Sequence, residues 1–200
     1  ITNIARAHLE GFGGMEGVRK GKSELDAYLA ATGGTAFVCG SISELVEMAS
    51  ERKEMKTILY DIADASEYHS NLTGDYNAYN IAAAVAIGKH FGIGEKERME
   101  AIAVYEPANG RSQRVETGHN TLILDCYNAN PSSMRAAIKD FAAEDSVLPK
   151  TVILGDMLEL GEYTSTEHNA ILDLLGECRL DDVYLVGSNF SKTAQGKGLR

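Results

Sequence analysis

The sequence predicts an α/β protein made of two successive units. Three observations carry that prediction. Short apolar runs alternate with stretches of helical periodicity. Glycine, proline and asparagine punctuate the changeovers. Of the 200 residues 44% are hydrophobic and 24% charged, the balance of a chain that buries a core. Strand–helix–strand order is the grammar of parallel sheets, whose crossovers are helical.

The opening run ITNIARAH reads as a strand ending at a polar tip, and a turn follows at Gly11, Gly13 and Gly14. EGVRKGKSELDAYLAA has helical spacing with Val18, Leu25, Tyr28 and Leu29 on one stripe, and Gly33-Gly34 stops it. From Ser43 to Arg52 a second helix is expected, with Ser43 as N-cap and Leu45, Met48 and Ala49 as its apolar side. TILYDIA at 57–63 is the next strand. Between Asn77 and Phe91, Ile81, Ala84, Val85 and Gly88 repeat at i, i+3, i+4, i+7, and Gly92 closes that helix. Its alanines imply close packing. KERMEAIAVY at 96–105 is a further helix, ended by Pro107 and the Asn109-Gly110 turn.

The rhythm then changes. RVETGHNTLILDCY predicts a hairpin turning near Gly118 to Asn120 and leading into a buried strand. Pro131 opens a helix, TVILGDM is a strand, 165–178 a helix and DVYLVGS another strand. The boundary is placed near Gln113, giving units 1–112 and 113–200. An opening inside a strand and a stop just past one read as the ends of a fragment.

Charge and composition exclude several classes. Nineteen basic against 29 acidic residues leave a net charge of −10, so no nucleic-acid backbone is held by bulk electrostatics. No apolar run approaches the ~20 residues of a membrane helix, so no membrane insertion is expected. Three scattered cysteines fit neither a disulfide framework nor a zinc cluster, which points to a reducing cytoplasm.

Several residues can carry chemistry. Taken alone, His8 is an ordinary capping or surface imidazole and Lys22 a solvated helix lysine. Arg111, after a tight Asn-Gly turn, can present its planar donor fork to a phosphate or carboxylate, or serve as a linker residue. Asp125 ends a strand, where open α/β sheets bind ligands. Asn130 before Pro131 reads equally as a helix cap. Asp156 and Glu159 in GDMLELG can hold a cation or an ammonium group, or simply line a loop. Asn77 and Asn80, three apart, share a helix face and can cap or read a base edge.

In their order along the chain, AHLEGFG…EGVRKGKSEL, GDYNAYNIAAA, NGRSQ, DCYNANPSSM and GDMLELG with His168 resemble the Mur ligase family. The resemblance runs from Ile1 to about Asn189. It implies the later part of a Mur ligase central ATPase domain followed by a partial Rossmann-like C-terminal domain. It further implies an ATP-dependent amide ligase of bacterial, cytoplasmic peptidoglycan precursor synthesis working through an acyl phosphate. The strings DxYNANPxSM and GDMxELG are similar to those of the member that joins D-alanyl-D-alanine to a UDP-N-acetylmuramoyl-tripeptide. By the same resemblance His8 is a Mg²⁺ ligand, and Lys22 is carbamylated so that its oxygens hold a second Mg²⁺. Hard Mg²⁺ takes oxygen ligands, and a carbamate supplies them. Asn80 would contact adenine with Asn77 beside it, Arg111 would approach the phosphates, and Asp125 the ribose. Asn128 and Asn130 would lie near the incoming dipeptide. Two departures stand out. No G-x-x-G-K-[ST] phosphate loop occurs, so the isolated chain is expected to be inactive. Residues 37–73 are also fewer than the family's strand-rich stretch there. Another amino-acid ligase of the family, or a non-catalytic module that has lost its ATPase, stay open as alternatives.

Overall fold

The computed structural model describes residues 1–6, 8–72 and 74–196, and the side chain of Asp75 is not among what it describes. The chain divides into two compact units: Ile1–Ala5 with Met15–Ala108, and Arg6–Gly14 with Asn109–Arg200. Helix α1 (Leu9–Phe12) belongs to the second unit.

The first unit runs α2 (Met15–Thr32), β1 (Thr35–Cys39), α3 (Ser43–Ser50), β2 (Lys56–Tyr60), a 3₁₀ turn (Ile62–Ala65), α4 (Asp75–His90) and α5 (Glu95–Ala103). Strands β1 and β2 pair in parallel from Thr35↔Lys56 to Cys39↔Tyr60, with α3 as the crossover. The core gathers Val38, Cys39, Leu45, Met55, Tyr60 and Ala82, with Ile1 and Ile4 packed against it. Burying side chains of this kind stabilises by roughly 1.5–3 kcal/mol each.

Four expectations change here. Residues 1–5 pack through Ile1 and Ile4 without forming a strand, because no neighbouring strand pairs with them. Ser43 is already helical; Ile42 is the N-cap, and no side chain caps the end. The buried stripe of α2 turns from the expected one to Val18 and Asp26, with Leu29 and Ala30 against the core, while Leu25 and Tyr28 are exposed. These inward positions fall at i, i+8, i+11 and i+12, one helix face. In α4 the side chains at Ala82 and Val85 are buried instead of Ala84. Gly92 (φ +76) does close α4: Ile93 N–H reaches Gly88 O (2.9 Å) and Gly92 N–H reaches Lys89 O (3.2 Å). That pair of bonds is a Schellman ending, which a left-handed glycine permits. Strand β1 itself carries no signal beyond the β-formers in TAFVC between glycines.

The second unit runs α1, β3 (Gln113–Glu116), β4 (Thr121–Leu124), α6 (Pro131–Ala143), β5 (Thr151–Gly155), a 3₁₀ turn (Gly161–Tyr163), α7 (Thr164–Glu177), β6 (Asp182–Val186) and α8 (Ser188–Gly196). The hairpin pairs β3 and β4 from Gln113↔Leu124 to Glu116↔Thr121. Strands β5 and β6 pair in parallel around α7 from Thr151↔Asp182 to Gly155↔Val186. Each pairing among the described residues is two-stranded. Strand β4 is half-buried with Leu122 exposed, not the buried strand the apolar run suggested, because a hairpin arm covers only part of its surface. Helix α8, unforeseen in the sequence, buries Phe190 completely beside His168, ring centroids 4.6 Å apart.

Candidate functional site

Lys22 and the asparagine pair belong to the first unit. Lys22, on α2, donates from Nζ to Asn3 O at 2.7 Å, and burial pulls its ammonium pKa below the usual lysine value. Desolvation disfavours the charged form, so the neutral, nucleophilic amine is more accessible than in water. On the first turns of α4, Asn77 is buried and Asn80 exposed; Asn80 Nδ2 donates to Asn77 Oδ1 at 3.1 Å. The i, i+3 spacing makes that contact, and it fixes the Asn80 amide for an edge-on contact.

The second unit holds Arg111, Asp125, Asn128 and Asn130 on two loops clamped together. Gly110 O accepts from Cys126 N–H (2.8 Å) and Tyr127 N–H (3.2 Å), and Gly110 N–H donates to Gln113 Oε1 (3.2 Å). Ser112, left-handed at φ +49, donates its N–H to Asp125 Oδ1 at 3.3 Å. A Cβ on Gly110 (φ +66) would stand 2.9 Å from Cys126 Sγ, so this approach requires glycine. The clamp sets Arg111 Cζ 3.9 Å over the Tyr127 ring. Asn128 Oδ1 accepts from Ala129 N–H at 2.9 Å. Asn130 caps α6, its Oδ1 accepting from Ser132 N–H (3.1 Å) and Ser133 N–H (3.0 Å). Beside these loops an apolar cleft of about 450 Å³ is lined by Leu122, Leu124, Ile138, Phe141, Val152 and Leu154.

His8 belongs to the second unit and Lys22 to the first. His8, left-handed at φ 56, pairs through Nδ1 with Glu159 Oε2. Asp156 has a structural task where cation binding was the expectation: its oxygens accept from Asn189 N–H (2.8 Å) and Phe190 N–H (2.9 Å), capping α8. A Cβ on Gly187 (φ +124) would lie 2.2 Å from Asp156 Cγ, so glycine is required there as well. His168 is fully buried, with Nε2 accepting from Met157 N–H (3.2 Å) and Nδ1 facing Thr164 O (2.7 Å). The pairing of both nitrogens identifies the neutral Nδ1–H tautomer. Glu167, also buried, carries Arg6 at one oxygen and Arg135 at the other. Among the described residues no group of three or more His, Cys, Asp and Glu converges into a metal cage.

Sequence reading missed Tyr127, Ser112 and the His8–Glu159 contact. Tyr127 lies within DCYNANP, but its partner is sixteen positions away, and no spacing rule links them.

Three comparisons bear on these residues. The family described as "Mur ligase, glutamate ligase domain" matches residues 110–199. The UDP-N-acetylmuramoyl-tripeptide–D-alanyl-D-alanine ligase of Bacillus subtilis is 26% identical across 98% of this chain and 47% of its own length. The chain belongs to the Mur ligase family. The Treponema pallidum ligase of the same name is 35% identical over 62% of this Mur ligase chain and 27% of its own. A crystal structure of MurF from Acinetobacter baumannii covers all of the chain and 49% of its own, with TM-score 0.85 and 26% identity. A MurF ligase from Thermotoga maritima in complex with ADP, at 19% identity, TM-score 0.78 and covering 94% of the chain and 48% of its own, shares the fold. The chain spans about half the length of the curated Bacillus relative it matches along its whole extent.

Proposed function

We propose that these residues are the later part of an ATP-dependent amide ligase of peptidoglycan precursor synthesis. It joins D-alanyl-D-alanine to a UDP-N-acetylmuramoyl-tripeptide. The observation that carries this reading is continuity: relatives bearing that one name run along 98% and 99% of the chain, so every candidate residue lies within the matched stretch. In the reaction ATP phosphorylates the tripeptide carboxylate, the dipeptide amine attacks the acyl phosphate, and phosphate leaves as the amide forms.

In this reading Asn80, held by Asn77, meets the adenine edge. Arg111 offers a bidentate fork to the phosphates, for which a guanidinium is the suited group. Asp125 accepts from the ribose hydroxyls with the carboxylate oxygen that Ser112 leaves unused. Asn128 and the amide NH₂ of Asn130 face the dipeptide. The donor chemistry also fits a divalent cation. Lys22, its pKa lowered by burial, adds CO₂ through the neutral amine, and the resulting carbamate presents two oxygens. His8 contributes Nε2. Bound Mg²⁺ would neutralise charge developing between the γ-phosphate and the carboxylate. The bacterial cytoplasm is the compartment where both substrates would be met, and no helix among the described residues is long and apolar enough to cross a membrane.

The test is phosphate release by the full product of the gene encoding these residues, supplied with ATP, the UDP-linked tripeptide and one amine at a time. Turnover with D-alanyl-D-alanine alone is expected. Turnover with D-glutamate or a diamino acid instead would reassign the amine, and none with any amine would remove the ligase reading.

A further inference from the structure

We infer that Glu159 is the positioning residue of His8: its carboxylate takes the Nδ1 proton and leaves Nε2 as the only acceptor on the ring. The use of Nε2 as a ligand position rests on the ligase reading above; the geometry does not.

Glu159 and His8 are both non-glycine residues in the left-handed region, at φ 58 and φ 56, and their side chains bond to each other. Each such conformation costs about 1–3 kcal/mol and persists only where its surroundings impose it. Here they do. Glu10 N–H donates to Glu159 O at 3.2 Å, so backbone and side chain tie the same two segments. Leu9 and Leu160 on either side of this bracket are buried, at 3% and 1% exposure. Gly161 (φ +56) lets the segments approach, since a Cβ there would stand 3.4 Å from Glu10 Cβ.

Stability does not account for the arrangement. The two side chains are 54% and 62% exposed, and an exposed ion pair contributes about 0–1 kcal/mol, less than the strain of holding it. What the contact supplies is direction. A neutral imidazole has one N–H and one lone pair. A carboxylate at Nδ1 fixes which nitrogen holds the proton and how the ring is turned, the device by which a second carboxylate orients a metal-bound histidine. Nε2 has no hydrogen-bond partner among the described residues, so it is the atom presented to a cation or a proton donor.

The experiment is long-range nitrogen–proton correlation on the 15N-histidine-labelled 200-residue chain at about pH 8, above the usual histidine pKa. A His8→Asn spectrum identifies the signal among the five histidines. His8 is expected in the Nδ1–H tautomer. Glu159→Ala is expected to lose that pattern in favour of Nε2–H, and Glu159→Gln, whose amide oxygen still accepts, to restore it. Should the alanine variant lose its native circular dichroism, Glu159→Gly removes the carboxylate while suiting a left-handed backbone. An Nε2–H pattern in the unaltered chain, or one unchanged by either removal, overturns the inference. Absence of ligation with the Nδ1–H pattern intact would sink the ligase reading alone.

Discussion

Lys22, Asn77 and Asn80 in the first unit stand on α2 and α4, placed by helical repeat within a few residues of their partners. Arg111, Asp125, Asn128 and Asn130 in the second unit stand on loops, held by bonds that cross long stretches of sequence. Helical placement makes the first set robust, since each side chain inherits its direction from a backbone that many other residues maintain. Loop placement makes the second set dependent on a handful of glycines, caps and buried anchors. The two units therefore respond differently to single substitutions.

The largest effect is expected at the anchor of α8. Phe190→Ala empties a fully buried ring position and should cost about 3–5 kcal/mol, read as a lower urea midpoint. Helix α8 and the GDMLELG loop it fastens through Asp156 should loosen first, with amide exchange rising there and not in α4. Uniform loosening of both units would erase the distinction. Gly187→Ala forces a side chain into a glycine conformation against Asp156, and strain of about 1–3 kcal/mol is expected from the backbone alone.

Gly110→Ala sharpens the comparison on the functional side. Its Cβ would press on Cys126 and open the clamp beneath Arg111, so nucleotide affinity in the full protein should fall about tenfold or more, about 1.4 kcal/mol. Equilibrium binding of a non-hydrolysable ATP analogue checks it. Asn130→Ala removes the cap of α6 and should cost about 1 kcal/mol in thermal or urea unfolding. If both leave nucleotide affinity unchanged, the loops of the second unit are not the nucleotide's support.

The smallest effect belongs to the first unit. Burial raises the Asp26 carboxyl above its ordinary value, so its ionised form is less favourable folded than unfolded. That penalty is complete above the folded pKa and disappears as pH falls below the unfolded value of about 3.9. Asp26→Asn should therefore stabilise the chain slightly at neutral pH and not at pH 3, seen as a difference in midpoint between two urea titrations. A gain of equal size at both pH values would assign the effect to packing instead of charge.

The same contrast explains what could be read in advance. Periodicity located α2, α4, α5, α6 and α7, and the Asn-Pro pair marked the start of α6, because these signals are local. The stripe on α2 was misplaced because nothing in the sequence tells which side of an amphipathic helix its unit will cover, and Asp26 occupies an inward position that a hydrophobic pattern discounts. Asp156 was legible as a loop carboxylate but not as a cap, since the amides it accepts from lie at Asn189 and Phe190. His8, Lys22 and the asparagines drew attention through motif resemblance; Glu159 gained its place only when the backbone brought it to His8.

Arg111 lying flat on Tyr127 has a consequence for recognition. Part of the guanidinium's hydration has already been exchanged for an aromatic face, an exchange worth about 0.5–1 kcal/mol at an exposed site. An anion approaching the loop meets a cation with one side stripped of water and its fork held in a plane. A ligand with a single weakly charged oxygen gains little by turning that plane away from the ring, whereas a polyphosphate can engage several donors at once. The tyrosine thus acts as a threshold, keeping Arg111 folded down until an anion rich enough in oxygens draws it off.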